Sequence, residues 1–158
     1  MSELPQKIIG TGKYWQELDL GIVGRTLRRT ITETDLVNFI SVTGMLEAIF
    51  IDAQYPHAAI PGRLVPAALT QAFIEGMLFQ TLIQGTGLAL LEVHTEAHLP
   101  VRVNDSIWAT CDITSIKPTS KLNRAIVVAE VKVYNQNDEL VLTYCPKRLL
   151  AGDPGGNS

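Results

Sequence analysis

Apolar and polar positions along this chain change period once, and the change separates a helical half from a strand half. Before residue 85 the spacing is helical. Thr32 is a ready N-cap, Glu33 and Asp35 put negative charge in the next turn, and Leu36, Phe39 and Ile40 share a face. Together they predict a first helix that runs out near Gly44. A second helix is predicted over residues 66–84, opened by Pro66, whose missing N–H costs nothing in a first turn, and stopped by Gly85. At 1.5 Å per residue it is about 28 Å long. Ala68, Leu69, Ala72, Phe73, Ile74, Met77 and Leu78 leave it almost no polar stripe, the mark of a buried helix. Residues 45–61 between the two are irregular yet apolar, with Met45, Leu46, Ile49, Phe50 and Ile51. A loop of that composition has to be covered by something.

After Gly85 the period is two. Leu91, Val93, Ala97 and Leu99 alternate with Glu92, His94, Glu96 and His98. Ile107, Ala109, Cys111 and Ile113 alternate with Trp108, Thr110 and Asp112, and Val127, Ala129, Val131 and Val133 with Val128, Glu130 and Lys132. A last strand over residues 140–149 follows the turn residues 135–138, and an early strand is predicted over 25–31. Short connections make the later strands antiparallel. The expected class is α+β: a curved antiparallel sheet wrapped around one long buried helix. Residues 1–12 read as an N-terminal arm, 13–150 as the domain, and 151–158 as a disordered tail with nothing to bury.

Composition narrows the function classes. A chain of 158 residues, 46% of them hydrophobic, forms one domain that buries roughly 70% of its unfolded surface without disulfide or metal. A net charge of -3 argues against nucleic acid or an anionic membrane as partner. The longest charge-free apolar stretch, residues 76–91, is too short and too rich in Gly and Gln to span a bilayer. The N-terminal residues lack a basic region followed by an apolar core. Cys111 and Cys145, both inside apolar runs, read as reduced core thiols, so a cytoplasmic protein is expected.

The order of elements and four local strings resemble the MaoC-like hotdog family, the (R)-specific enoyl-CoA hydratases and their relatives. The strings are Thr32-Glu-Thr-Asp-Leu-Val-Asn-Phe39, Thr43-Gly44, Pro61-Gly-Arg-Leu-Val65 and Pro100-Val-Arg-Val-Asn-Asp105, and the resemblance covers residues 14–150. It implies a single hotdog domain, a homodimer pairing two sheets edge to edge, thioester sites at the dimer interface, and an acyl-CoA substrate with no separate cofactor. The family's active loop reads Gly-Asp-x-Asn-Pro-x-His-x-Asp. Here it reads Gly44-Met-Leu-Glu-Ala-Ile-Phe-Ile-Asp52. Met45 replaces the catalytic Asp and Phe50 the His, and neither can move a proton. Gly44 and Asp52 match, and Asp52 is expected to hold the loop.

Glu47 is the candidate replacement. A carboxylate enclosed by Met45, Leu46, Ala48, Ile49 and Phe50 is expected to have a raised pKa, which suits general acid–base work near neutrality. Water addition to an α,β-unsaturated thioester needs a base for the water and an acid for the α-carbon, and one carboxylate can serve both in turn. The alternative is a surface Glu, or one that holds Arg63. His57 is the second candidate, as an imidazole folding back over the same pocket or as an exposed loop residue. Gly62, Arg63 and Leu64 lead into the second helix, where backbone N–H groups can polarise a carbonyl; alternatively Gly62 allows a turn and Arg63 pairs with Asp52 or Glu47. With Met45 and Phe50, these form the expected substrate pocket.

Other polar groupings weigh less. His94, Glu96 and His98 share a strand face, but each lies about 6.6 Å from the next, so an ion takes two at most, and no metal site is expected. Lys117, Lys121 and Arg124 form a cationic loop that either holds a CoA phosphate or is a solvated hairpin tip. Three functions remain: acyl-CoA hydration or dehydration with Glu47, a non-catalytic acyl-thioester-binding or structural subunit, and thioester hydrolysis.

Overall fold

The computed structural model describes residues 8–155. After a 3-10 turn at Trp15–Glu17, three α-helices and six strands follow one another as β1 (Gly21–Arg25), β2 (Arg29–Thr30), α1 (Glu33–Thr43), α2 (Ala48–Ile51), α3 (Ala67–Thr81), β3 (Gly87–Ala97), β4 (Ser106–Pro118), β5 (Arg124–Tyr134) and β6 (Leu140–Ala151). The sheet order is β1-β4-β5-β6-β3, with β2 also pairing β4, and every pairing is antiparallel.

Helix α1 forms where its local signals say. Thr32 accepts from the Asp35 N–H while the Asp35 carboxylate accepts from the Thr32 N–H, a reciprocal cap that satisfies two orphan donors. Gly44, at φ 74°, ends the helix in the left-handed conformation that favours glycine. Leu36 and Ile40 are buried and Phe39 packs against the core, as their spacing requires.

The alternation in β4 and β5 translates directly into burial. Ile107, Ala109, Cys111 and Ile113 face the core from β4; Val127, Ala129, Val131 and Val133 do so from β5. They meet Leu69, Ile74 and Leu78 of α3. Each Val, Leu or Ile among them contributes about 1.5–3 kcal/mol by leaving water. An ion pair joins this layer: Arg148 of β6 pairs with Glu75 of α3, both side chains largely enclosed. Burial and the neighbouring Glu75 push the Tyr144 hydroxyl far up from its ordinary value. The Cys111 thiol rises to about 11 through burial, so it is an inert core group.

Five expectations need correction. The early strand is two strands, β1 and β2, separated where Thr26 bonds Ala109 of β4 through both its N–H and its hydroxyl. Residues 45–61 are not wholly irregular, since they contain the single turn α2. Helix α3 closes at Thr81 with Leu82 as C-cap, where the last turn widens and the Ile83 N–H, five residues on, shares the Leu78 carbonyl with the Leu82 N–H. Nor is α3 buried all round: one stripe is covered, but Ala68, Ala72 and Phe79 are exposed, because a single sheet reaches only one side of the helix. At the tail, Ala151 belongs to β6, and Gly152 and Asp153 bond Asn123 and Gln16. Of the predicted arm and tail, residues 1–7 and 156–158 lie outside the described residues.

Candidate functional site

Of the predicted residues, the approach to α3 brings Phe50 together with Arg63. Arg63 donates from Nε and Nη2 to Glu33 at the start of α1, at 2.9 and 2.6 Å to Oε1, and from Nη1 to the Phe50 carbonyl in α2. It therefore holds three segments: the α1 N-terminus, the 45–52 loop, and the chain entering α3. The partner expected from sequence, Asp52 or Glu47, is not the one used. The Arg63 hydrogen bonds in turn hold the Glu33 carboxyl below its usual range. Leu64 bridges Arg102, and Gly62 sits at φ 105°, where a Cβ would come within 3.4 Å of Arg102 Nε. A side chain there would meet both backbone strain and the Arg102 stem.

Loop residues 45–52 have distinct fates. Phe50 packs against the core, whereas Met45 is 39% exposed. Glu47 is the N-cap residue of α2 and is exposed, its backbone carbonyl accepting from Phe50 and Ile51. Its side chain makes no hydrogen bond among the described residues, so the apolar enclosure expected around it is absent within one protomer. Asp52 accepts from the Gln54 N–H through its carboxylate, which holds the turn as expected. His57 is exposed, edge-on to Tyr55 at 5.6 Å between centroids, and no hydrogen bond joins it to Glu47.

A cavity of about 290 Å³ opens at the start of α3, between Ile60, Val65, the first turn of α3 and the Ala97–Val101 connection; Met45, Glu47, Phe50, His57, Gly62, Arg63 and Leu64 are not among the residues that line it. Its walls are mainly apolar. Polar groups are few: the Thr70 and His98 side chains line it. Pro66, as N-cap, offers no side-chain cap, and the Ala67 and Ala68 N–H groups behind it have no backbone partner. Unpaired N–H groups at a helix start suit a carbonyl oxygen that gains negative charge. His98 is oriented by the Thr143 hydroxyl at 2.9 Å and lies 3.8 Å from Glu96. Thr70 is fully buried and its hydroxyl has no partner. Sequence reading passed over Thr70 and weighed His98 only as a metal ligand. Thr70 had a signal, as a hydroxyl within an almost wholly apolar helix.

The other polar groupings dissolve. No cluster of three metal-ligating side chains exists among the described residues. Lys117 and Lys121 are exposed around the β4–β5 hairpin tip, while Arg124 is half-buried in β5. No described helix is long and apolar enough to cross a membrane.

No family model and no curated protein matches the sequence. Solved structures do match in three dimensions. The MaoC-like dehydratase from Rhodospirillum rubrum superposes with a TM-score of 0.79 at 19% identity, covering 90% of this chain and 99% of that one. The (R)-hydratase from Pseudomonas aeruginosa gives 0.72 at 22%, covering 89% and 86%. A Mycobacterium tuberculosis protein with a double hotdog fold gives 0.83 at 17%, covering 93% of this chain but 46% of that one. At such identities the likeness shows the fold. The chain has the hotdog fold that the sequence resemblance implied.

Proposed function

We propose that this hotdog chain is a cytoplasmic homodimer that adds water to, or removes it from, the acyl chain of a CoA thioester. The observation that carries the reading is the Arg63 clamp, which ties Phe50 of the 45–52 loop to the chain that enters α3, where a mainly apolar cavity opens. Glu47 is the one ionisable side chain in that loop before Asp52. The dehydratase and hydratase among the structural neighbours support the same reaction class.

In this mechanism the thioester carbonyl accepts from the free N–H groups of Ala67 and Ala68. The Glu47 carboxylate takes a proton from water as its oxygen bonds the β-carbon, and the electron pair of the double bond moves to the enolate. Protonated Glu47 then returns that proton to the α-carbon, giving a 3-hydroxyacyl thioester. The edge strand β3 supports the dimer. All 11 of its residues are exposed, including Leu88, Leu90, Leu91 and Val93, and one of its edges is unpaired. A long apolar edge of this kind aggregates unless a second strand covers it. Two free cysteines and no disulfide suit a reducing compartment.

A second reading, a thioester-binding subunit without turnover, is favoured by one observation: Glu47 is exposed and nothing in its own protomer orients it. The test is conversion of a panel of enoyl-CoA and saturated acyl-CoA thioesters, followed by mass spectrometry, with Glu47→Gln alongside. Water addition abolished by Glu47→Gln supports the hydratase; saturable binding without conversion supports the subunit; release of free CoA from saturated esters points to hydrolysis.

A further inference from the structure

The exposed strand β3 has two chemically different faces. Glu92, His94 and Glu96 lie opposite Lys147, Cys145 and Thr143 of β6, on the side away from α3, and His98 joins them through its bond to the Thr143 hydroxyl. Val93, Thr95 and Ala97 lie opposite Pro146 and the buried Tyr144 and Leu142. The Thr95 hydroxyl donates to Gln71 of α3, so this second face is the helix side. His98, just past the strand, is exposed like the rest of it.

The backbone is set for a further strand. The His98 N–H bonds the Val141 carbonyl, and Val93 stands opposite Pro146, which has no N–H to give. Such groups alternate along an antiparallel ladder, so Glu92, His94, Glu96 and His98 direct theirs to β6, while Val93, Thr95 and Ala97 turn theirs to the free edge.

Side chains then select one register. With a second copy added antiparallel about a two-fold axis at Thr95, Glu96 stands opposite the partner's His94 and Glu92 opposite the partner's His98, and symmetry repeats both pairs. On the helix side Val93 meets the partner's Ala97. An axis at His94 sets Glu92 against the partner's Glu96, and an axis at Glu96 sets that carboxylate against its own copy, both repulsive. An axis at Val93 or Ala97 matches only some of these groups. In the Thr95 register the Glu–His pairs occupy non-hydrogen-bonded positions, where Cα atoms are about 4.5 Å apart and side chains approach most closely. Within the chain Glu92 reaches Lys147 at 3.3 Å and Glu96 lies 3.8 Å from His98, yet both Glu side chains are 66% exposed and open to a second partner.

We propose that two copies of this chain join along β3 with Thr95 on the two-fold axis, recognising each other through reciprocal Glu92–His98 and Glu96–His94 contacts. The proposal rests on the homodimeric reading and adds to it the register and the residues that select a second copy.

The test is disulfide trapping of the full chain in a Cys145→Ser background, with sedimentation alongside. Positions 92 and 98 of one strand are about 20 Å apart, so Glu92→Cys/His98→Cys can close a disulfide only between chains. Oxidation should turn that variant into a covalent dimer, and neither single Cys variant should cross-link. His94→Glu should weaken the dimer about tenfold or more, and the exchange His94→Glu/Glu96→His should restore most of the loss. A chain that sediments as a monomer would remove the homodimer and this register with it. A dimer that fails to cross-link, is indifferent to His94→Glu or is not rescued by the exchange would overturn the register and leave the homodimer standing.

Discussion

Arg63 and Glu33, thirty residues apart, form a two-point ion pair, and the same guanidinium holds the Phe50 carbonyl. One side chain thus ties the start of α1 to the loop that carries Glu47. The Glu33 partner is half-exposed, so that contact contributes about 0.2–1 kcal/mol, while the part-buried bond to Phe50 contributes about 1 kcal/mol. Arg63→Ala is expected to lower unfolding stability by about 1–2 kcal/mol in urea titration. Glu33→Gln should cost less. Turnover should fall more in Arg63→Ala than the stability loss explains, because the loop is released.

Acid should weaken the same corner. The Arg63 hydrogen bonds hold Glu33 below its usual range; for Asp35, burial pushes the carboxyl up, but the Thr32 hydrogen bonds and Arg29 outweigh it and the net direction is down. Folded values below unfolded ones mean stabilisation that is full above the ordinary carboxylate range, about pH 4, and lost as pH falls through the folded values. Denaturant midpoints measured from pH 6 to 2.5 should therefore fall less steeply for Glu33→Gln/Asp35→Asn than for the parent chain. Equal slopes would mean that these carboxylates do not drive acid unfolding.

Thr70 is buried with an unpaired hydroxyl, which costs stability in the empty protein. Thr70→Val keeps the shape and removes that cost, so it should stabilise the fold by about 1 kcal/mol. If the hydroxyl serves the cavity, acyl-thioester affinity falls in the same variant. A loss of stability would show that the hydroxyl already has a partner.

The unpaired edge of β3 predicts assembly. Sedimentation should give twice the chain mass for the parent protein and a single-chain mass for Leu90→Lys/Val93→Lys, since charge on an edge strand blocks pairing. A parent protein that stays monomeric at micromolar concentration would remove the homodimer.

Much of this architecture was legible because it is local. The Thr32–Asp35 cap, the Gly44 stop and the alternation in β4 and β5 each reside in a few neighbouring residues, and each appears as expected. What sequence missed depends on distance. Arg63 finds Glu33 rather than Asp52 because the start of α1 comes to lie beside the approach to α3, and no spacing rule encodes that. The period-two pattern of β3 reads as a half-buried strand, yet every residue in it is exposed, because its edge position follows from sheet order. Likewise the apolar girth of α3 says that it needs covering, but not that Ala68, Ala72 and Phe79 remain open in a single protomer. The substitutions Met45 and Phe50 are plain in the sequence, while the exposure of Glu47 is a matter of three-dimensional placement.

The most direct measurement is mass-spectrometric conversion of an enoyl-CoA panel by the parent chain and by Glu47→Gln at matched folded concentration. The account predicts a gain of one water by at least one enoyl-CoA with the parent chain and none with Glu47→Gln. Hydration that persists in Glu47→Gln, or no hydration of any enoyl-CoA by the parent chain, would contradict it.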